Sequence, residues 1–191
     1  MRGYPAAVVV GEDGERLAAS LTDRLDAVTF ADLTTEQVTA RLIDAVVDWA
    51  GERGWRVYRR AASVLPLPPP MSAQQSVLDV ACARPDGPPV VVEVDHGTRR
   101  RTWEKLVAEA DAGRIVLWLR WGTGRFTAPP PPIRMVTCEV SRRPDPTGQG
   151  RVHSRSPRAD RLPPEHSAVR VDAVAAVELP LPLSGSPDAG A

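Results

Sequence analysis

The sequence of 191 residues predicts one α/β domain, with a mixed central sheet flanked by helices. Three features lead to this prediction. They are a capped amphipathic helix, two apolar strands joined by a turn, and a strand–helix–strand unit that follows them. A chain of this length is long enough for one domain with a substantial core. The predicted element order is α-β-β-β-α-β, followed by a region rich in proline and arginine.

The first of these elements is a helix that we expect to begin at Thr35. Thr34 and Gln37 are three residues apart, which is the spacing of a capping box, and Leu33 and Val38 have the positions of a hydrophobic staple. Apolar residues then recur at helical spacing, and Gly51 or Gly54 would end the helix.

The residues before this helix, 1–33, are predicted to be an N-terminal extension. Residues 6–10 form a short apolar run that predicts a strand, and the Gly-Glu-Asp-Gly sequence after them predicts a turn. An amphipathic segment through Leu17, Leu21 and Leu25 would follow. We expect these elements to pack at the edge of the domain.

Next along the chain, residues 55–58 alternate as a strand, and residues 66–70 are a proline-rich loop. Two apolar strands follow, at 77–83 and 90–95. The intervening Arg-Pro-Asp-Gly-Pro-Pro sequence is a turn by composition, so the two strands should form an antiparallel hairpin.

Three acidic residues lie in this predicted hairpin, with Asp79 on its first strand and Glu93 and Asp95 on its second. Because side chains alternate along a strand, Glu93 and Asp95 should share one face. Acidic side chains in apolar strands are costly to bury without a partner, and a divalent metal ion is one suitable partner.

A crossover follows the hairpin. Gly97 and Thr98 turn the chain into a predicted helix of about 14 residues, which Gly113 closes. The apolar residues 115–119 then predict a buried strand. A strand, a helix and another strand predict that the two strands run parallel.

Residues 123–191 are predicted to be a Pro/Arg-rich tail. Residues 129–132 are four prolines, and residues 141–167 contain few apolar side chains. Two apolar patches interrupt the tail, at 133–140 and 169–183, and either could add an edge strand.

The composition argues against a globally basic protein, a zinc or disulfide framework and a membrane protein. Lys+Arg and Asp+Glu are both 24, so any basic surface must be local. Cys82 and Cys138 lack the spacing of a zinc or disulfide framework and are predicted to be buried apolar residues. The sequence has no run of about 18 apolar residues and no signal-peptide pattern, so we expect a cytoplasmic protein with no membrane partner.

The order of helix, strand, Pro-rich loop, strand with Asp, strand with Glu-x-acid, helix and strand resembles the PD-(D/E)xK nuclease-like superfamily. The resemblance covers roughly residues 35–122, within a predicted core of 34–122, and VVVEVDHGT is similar to a variant of bacterial members. It implies a restriction-endonuclease-like fold. It also implies that Asp79 and Glu93 bind Mg²⁺ (or Mn²⁺).

Two residues depart from the family pattern. Leu78 precedes Asp79 where the family has proline, and Asp95 stands where it most often has lysine. The resemblance implies that Asp95 is a general base or third metal ligand, although Asp95 could also belong to a turn and helix cap. Some members carry the lysine on the following helix, where Lys105, the single lysine of this chain, is found.

We therefore predict a metal-dependent nuclease that hydrolyses DNA, with Asp79, Glu93, Asp95 and Lys105 as catalytic residues. Arg99, Arg100 and Arg101 would hold backbone phosphates, or they would pair with acids of the same helix.

Two other functions stay open. One is a catalytically inactive nuclease-fold module that binds DNA or a protein partner. The other is an interaction protein that works through its Arg/Pro-rich tail. A homodimer is also left open.

Overall fold

Residues 6–148, 150–157 and 160 are described by a computed structural model, and they belong to one compact unit. This unit is wider than the core of 34–122 expected from the sequence. The described residues contain three helices and eight strands. The helices are α1 (Ala6–Asp26), α2 (Thr35–Gly51) and α3 (Arg100–Asp111). The strands are β1 (Phe30–Leu33), β2 (Arg56–Pro66), β3 (Gln75–Ala83), β4 (Val90–Asp95), β5 (Ile115–Gly122), β6 (Arg134–Glu139), β7 (Ser141–Pro144) and β8 (Arg151–Arg155).

The central sheet has five strands in the order β2-β3-β4-β5-β6. β2, β3 and β4 are antiparallel neighbours, whereas β4, β5 and β6 run parallel. The predicted hairpin and crossover are therefore confirmed, and α2 to β5 have the predicted order α-β-β-β-α-β. The structure is a mixed α/β fold.

Helix α2 begins where the sequence predicts. The Thr34 side chain accepts from the Gln37 amide at 3.3 Å, and Gln37 Oε1 accepts from the Thr34 amide at 2.9 Å, which completes the capping box. Two donors that a helix start leaves unpaired are thereby satisfied. The helix ends at Gly51.

Helices cover both faces of the central sheet. Val90, Val92 and Val94 belong to the core formed with α1 and α2, whereas Val91 packs with Leu106 of α3 in a second cluster. Since successive residues of a strand face opposite ways, Glu93 and Asp95 share the α3 face with Val91. The predicted division of β4 into two faces is confirmed.

The N-terminal segment differs from the prediction. The strand at 6–10 and the turn after it are wrong, because α1 runs without interruption through Gly11 and Gly14. Leu17, Leu21 and Leu25 are buried at helical spacing, as expected. Burying each leucine contributes about 2 kcal/mol, which outweighs the cost of about 1 kcal/mol for a glycine in a helix.

Strand β2 is longer than the predicted strand at 55–58. It lies at the edge of the sheet and pairs with β3, and most of its residues are exposed or half-buried. After Tyr58 the residues of β2 do not alternate between apolar and polar types, so the sequence pattern revealed only the first few residues of this strand. Its end, Pro66, coincides with the start of the predicted proline-rich loop.

The predicted C-terminal tail also needs correction. β6 fills the apolar patch at 133–140 and forms the other edge of the central sheet, as the sequence suggested. β7 and β8, however, join β1 in a second, antiparallel sheet of three strands, although residues 141–155 contain few apolar side chains. Arg155 is buried and donates to the backbone carbonyls of Leu25, in the last turn of α1, and of Val28, just after that helix. Polar contacts thus anchor this sheet. The patch at 169–183 lies outside the described residues.

The two cysteines, on β3 and β6, are buried free thiols, as predicted. Burial raises the pKa of Cys82 to about 11. No helix in the described ranges is long and apolar enough to cross a membrane.

Candidate active site

Asp79 and Glu93 lie side by side where the β3–β4 ladder ends. The last ladder pair joins Val80 to Val92. Beyond it, the Asp79 amide donates to Glu93 Oε1 at 3.1 Å, and the Val94 amide donates to Asp79 Oδ2 at 2.8 Å. Each carboxylate therefore accepts a hydrogen bond from the backbone of the opposite strand, and these two bonds fix the acids in register.

Lys105 reaches the same acids from α3. Its Nζ is 2.7 Å from Glu93 Oε2 and donates to the Val77 carbonyl at 2.5 Å. The Lys105 and Glu93 side chains are only 12% and 5% exposed, so their ion pair is largely shielded from water. The crossover from β4 into α3 makes this contact, because it folds the helix back over the hairpin.

The electrostatics of the pair are unusual for carboxylates. Burial and the neighbouring charge of Asp79 raise the pKa of Glu93 to about 7, against the opposing effect of Lys105. Burial also raises the pKa of Asp79, although the Val94 amide and Lys105 act in the other direction. Two adjacent carboxylates in a low-dielectric site disfavour each other's ionisation, and an added cation would relieve that repulsion.

Asp95 lies two residues beyond Glu93 on β4, beside the Asp79–Glu93 pair. Its Oδ2 accepts from Trp118 Nε1 at 3.2 Å, and its backbone is opposite Arg120 in the β4–β5 ladder. Its charge acts on Asp79 by raising the pKa of that carboxyl. Asp95 is therefore near the pair, and it is held by the indole of β5.

All four acidic and basic residues predicted to be catalytic line one open cavity of about 350 Å³. β3, β4, α3 and the loop after β2 form its walls. The lining residues are Leu67, Ser76, Val77, Asp79, Glu93, Val94, Asp95, Arg99, Arg101, Thr102 and Lys105.

The three arginines predicted to hold phosphates have different surroundings. Arg99 is the N-cap residue of α3, makes no side-chain cap bond and lines the cavity. Arg101 also lines it and donates to Ser76 Oγ at 3.0 Å and to the Pro66 carbonyl. Arg100 is 90% exposed, pairs with Glu104 and is not among the lining residues. The structure thus brings Arg99 and Arg101 to the cavity and leaves Arg100 outside it.

A charged stripe on α3 was missed at the sequence level. Arg101, Lys105 and Glu109 are spaced by four residues, so they share one helix face, and all three bond to the β2–β3 hairpin. Glu109 is fully buried and accepts from Ser63 Oγ at 2.6 Å and from the Val64 amide at 2.8 Å. The sequence signal for this stripe was the four-residue spacing of the charged residues, which was overlooked because attention went to the apolar residues of the same helix.

The carboxylate oxygens of Asp79 and Glu93 suit a hard divalent cation that takes only part of its coordination shell from the protein. In the described part of the chain, no group of three or more His, Cys, Asp or Glu side chains forms a ready metal site. Mg²⁺ is nevertheless commonly bound by one or two carboxylates, with water and substrate phosphate completing its shell. The adjacent carboxylates of Asp79 and Glu93, which line one cavity, fit this arrangement.

Comparisons with known proteins do not indicate a family or a function for this chain. No family model, no curated protein and no solved structure matches the chain.

Proposed function

We propose that this protein is a metal-dependent nuclease that hydrolyses phosphodiester bonds of DNA. The main support is that Asp79, Glu93, Asp95 and Lys105, from two strands and a helix, line one open cavity. An open cleft with paired carboxylates, a buried lysine and flanking arginines matches the needs of phosphoryl chemistry, which are positioning and charge stabilisation.

The residues divide into roles in this proposal. Asp79 and Glu93 would hold Mg²⁺ or Mn²⁺, and Asp95 would act as the base that orients water. A bound ion of this kind polarises a phosphate oxygen and lowers the pKa of bound water. Lys105 lies between Glu93 and the Val77 carbonyl, where its charge favours the ionised form of Glu93 against burial and would stabilise a developing negative charge.

The test is cleavage of plasmid and single-stranded DNA by the purified protein with Mg²⁺ or Mn²⁺. We expect nicking or degradation that a chelator stops and that Glu93→Ala abolishes. Glu36→Gln, on the exposed first turn of α2, is the matched control and should cleave like wild type. Wild-type protein without metal-dependent cleavage, or a fully active Glu93→Ala, would reject the proposal.

Metal binding can be measured independently of cleavage. A ligand that binds only the folded state stabilises it by about 2.7 kcal/mol at 100 times its Kd. Mn²⁺ should therefore raise the Tm of the wild-type protein. It should leave the Tm of Glu93→Ala nearly unchanged.

The alternative is a module that binds DNA without cleaving it. One observation favours it: both oxygens of Glu93 are already engaged, by the Asp79 amide and by Lys105. DNA binding that persists in a chelator and in Glu93→Ala, with no cleavage under any metal condition, would select this alternative.

A further inference from the structure

Arg120 is a buried cation beside the acidic cavity, and it is not among the cavity's lining residues. It is on β5 directly opposite Asp95, and it is 6% exposed. Its guanidinium carbon is 4.6 Å from the centroid of the Trp118 ring and 5.5 Å from that of Phe126. Two aromatic rings therefore hold the guanidinium near the carboxyl end of β5.

The contacts of Arg120 do not replace all the hydrogen bonds to water that its guanidinium loses on burial. Its Nε is buried and has no hydrogen-bond partner within the described ranges. The charge of Asp95 acts on Arg120, but the Oδ2 atom of Asp95 accepts a hydrogen bond from Trp118 Nε1. Leaving a buried N–H of a charged group without an acceptor is costly, so packing against the two rings does not by itself account for an arginine at this position.

The position of Arg120 indicates what would pair with it. Arg99 and Arg101 flank the acidic cavity on the α3 side, and Arg120 flanks Asp95 on the β5 side. A planar guanidinium that contacts two rings keeps its fork of donors oriented, which suits a phosphate group. A nucleic-acid strand with one phosphate in the cavity has its adjacent phosphates on either side of it.

We propose that Arg120 binds a backbone phosphate of DNA adjacent to the one in the acidic cavity, and that Trp118 and Phe126 preorganise it for that contact. The proposal rests on the proposed function for the identity of the ligand. It does not require that the protein cleaves DNA.

The test is binding of a fluorescein-labelled DNA duplex, followed by anisotropy over a range of salt concentrations in EDTA, which prevents metal-dependent cleavage. Arg120→Gln should weaken binding about tenfold, as expected for loss of one charge-assisted hydrogen bond. The slope of log K against log salt should fall by about 0.9, the value for one lost phosphate contact. Arg16→Gln, at a side chain that is 77% exposed on α1, is the charge-matched control and should leave the slope unchanged.

Thermal unfolding of each variant separates binding from folding. If Arg120→Gln does not fold, Phe126→Ala decides, because it loosens the guanidinium without changing charge. That variant should bind about two- to fivefold more weakly. Any of three results overturns the inference. They are wild-type affinity in Phe126→Ala, a wild-type salt slope in folded Arg120→Gln, and no DNA binding by the wild-type protein. Binding that depends on Arg120 in a protein that does not cleave DNA would support the inference and reject the nuclease proposal.

Discussion

Replacing Glu93 by glutamine should change how the stability of the protein depends on pH. The pKa of Glu93 in the folded protein, about 7, lies above its ordinary value of 4.5 because the carboxyl is buried beside Asp79. The folded state therefore holds an extra proton between these two pH values. The contribution of this proton to stability is fully present below pH 4.5 and is lost as the pH rises through about 7.

The size of the effect follows from the two pKa values. At about 1.4 kcal/mol per pKa unit, raising the pKa from 4.5 to about 7 corresponds to about 3 kcal/mol. Glutamine has a similar shape and no proton to lose, so Glu93→Gln keeps this stability at alkaline pH. The amide oxygen of the new side chain can still accept a hydrogen bond from the Asp79 amide or from Lys105, whose distances to the wild-type carboxylate are 3.1 and 2.7 Å.

The assay is urea unfolding of both proteins at pH about 5 and about 8, followed by tryptophan fluorescence. The wild type should lose stability relative to Glu93→Gln on going from the lower to the higher pH, by most of the roughly 3 kcal/mol derived above. Glu36→Gln, at an exposed position, should track the wild type at both pH values. Stabilities of wild type and Glu93→Gln that stay parallel across this range would refute the reasoning.

Three further predictions concern the scaffold of the site. Thr34→Ala should lower the free energy of unfolding by about 1 kcal/mol, because the α2 cap is lost, and Thr34→Ser should restore most of it in urea titrations. Glu109→Ala should lower the free energy of unfolding by about 3 kcal/mol, because it leaves the Ser63 hydroxyl and the Val64 amide without their buried acceptor. A decrease of less than about 1 kcal/mol would contradict this reasoning. Gly113→Ala should lower the Tm, since Gly113 has a φ of 79°, and an unchanged Tm would count against that strain.

Much of the site could be predicted from sequence because its elements are local. The alternation of Val90–Asp95 sets which residues of β4 face together, and the turn before β4 sets the hairpin that brings Asp79 opposite Glu93. The same local logic placed the start of α2 at its capping box.

Other parts were hidden from the sequence because distant contacts decide them. The Lys105–Glu93 distance depends on how α3 docks over the hairpin, and the sequence supplied only the helix that carries the lysine. The burial of Glu109 was missed for the same reason, since its partners lie on β2. β2 itself was underpredicted because an edge strand has few buried side chains.

By itself the sequence determined the element order α2 to β5, the shared face of Glu93 and Asp95, and the burial of both cysteines, because each follows from residue spacing along a single element or turn. Tertiary structure alone decided that residues 6–26 form one helix and that β7 and β8 build a second sheet. It also decided that Arg120 is buried beside Asp95. In these cases the deciding free energy comes from packing, hydrogen bonds and desolvation between distant residues, which no local pattern contains.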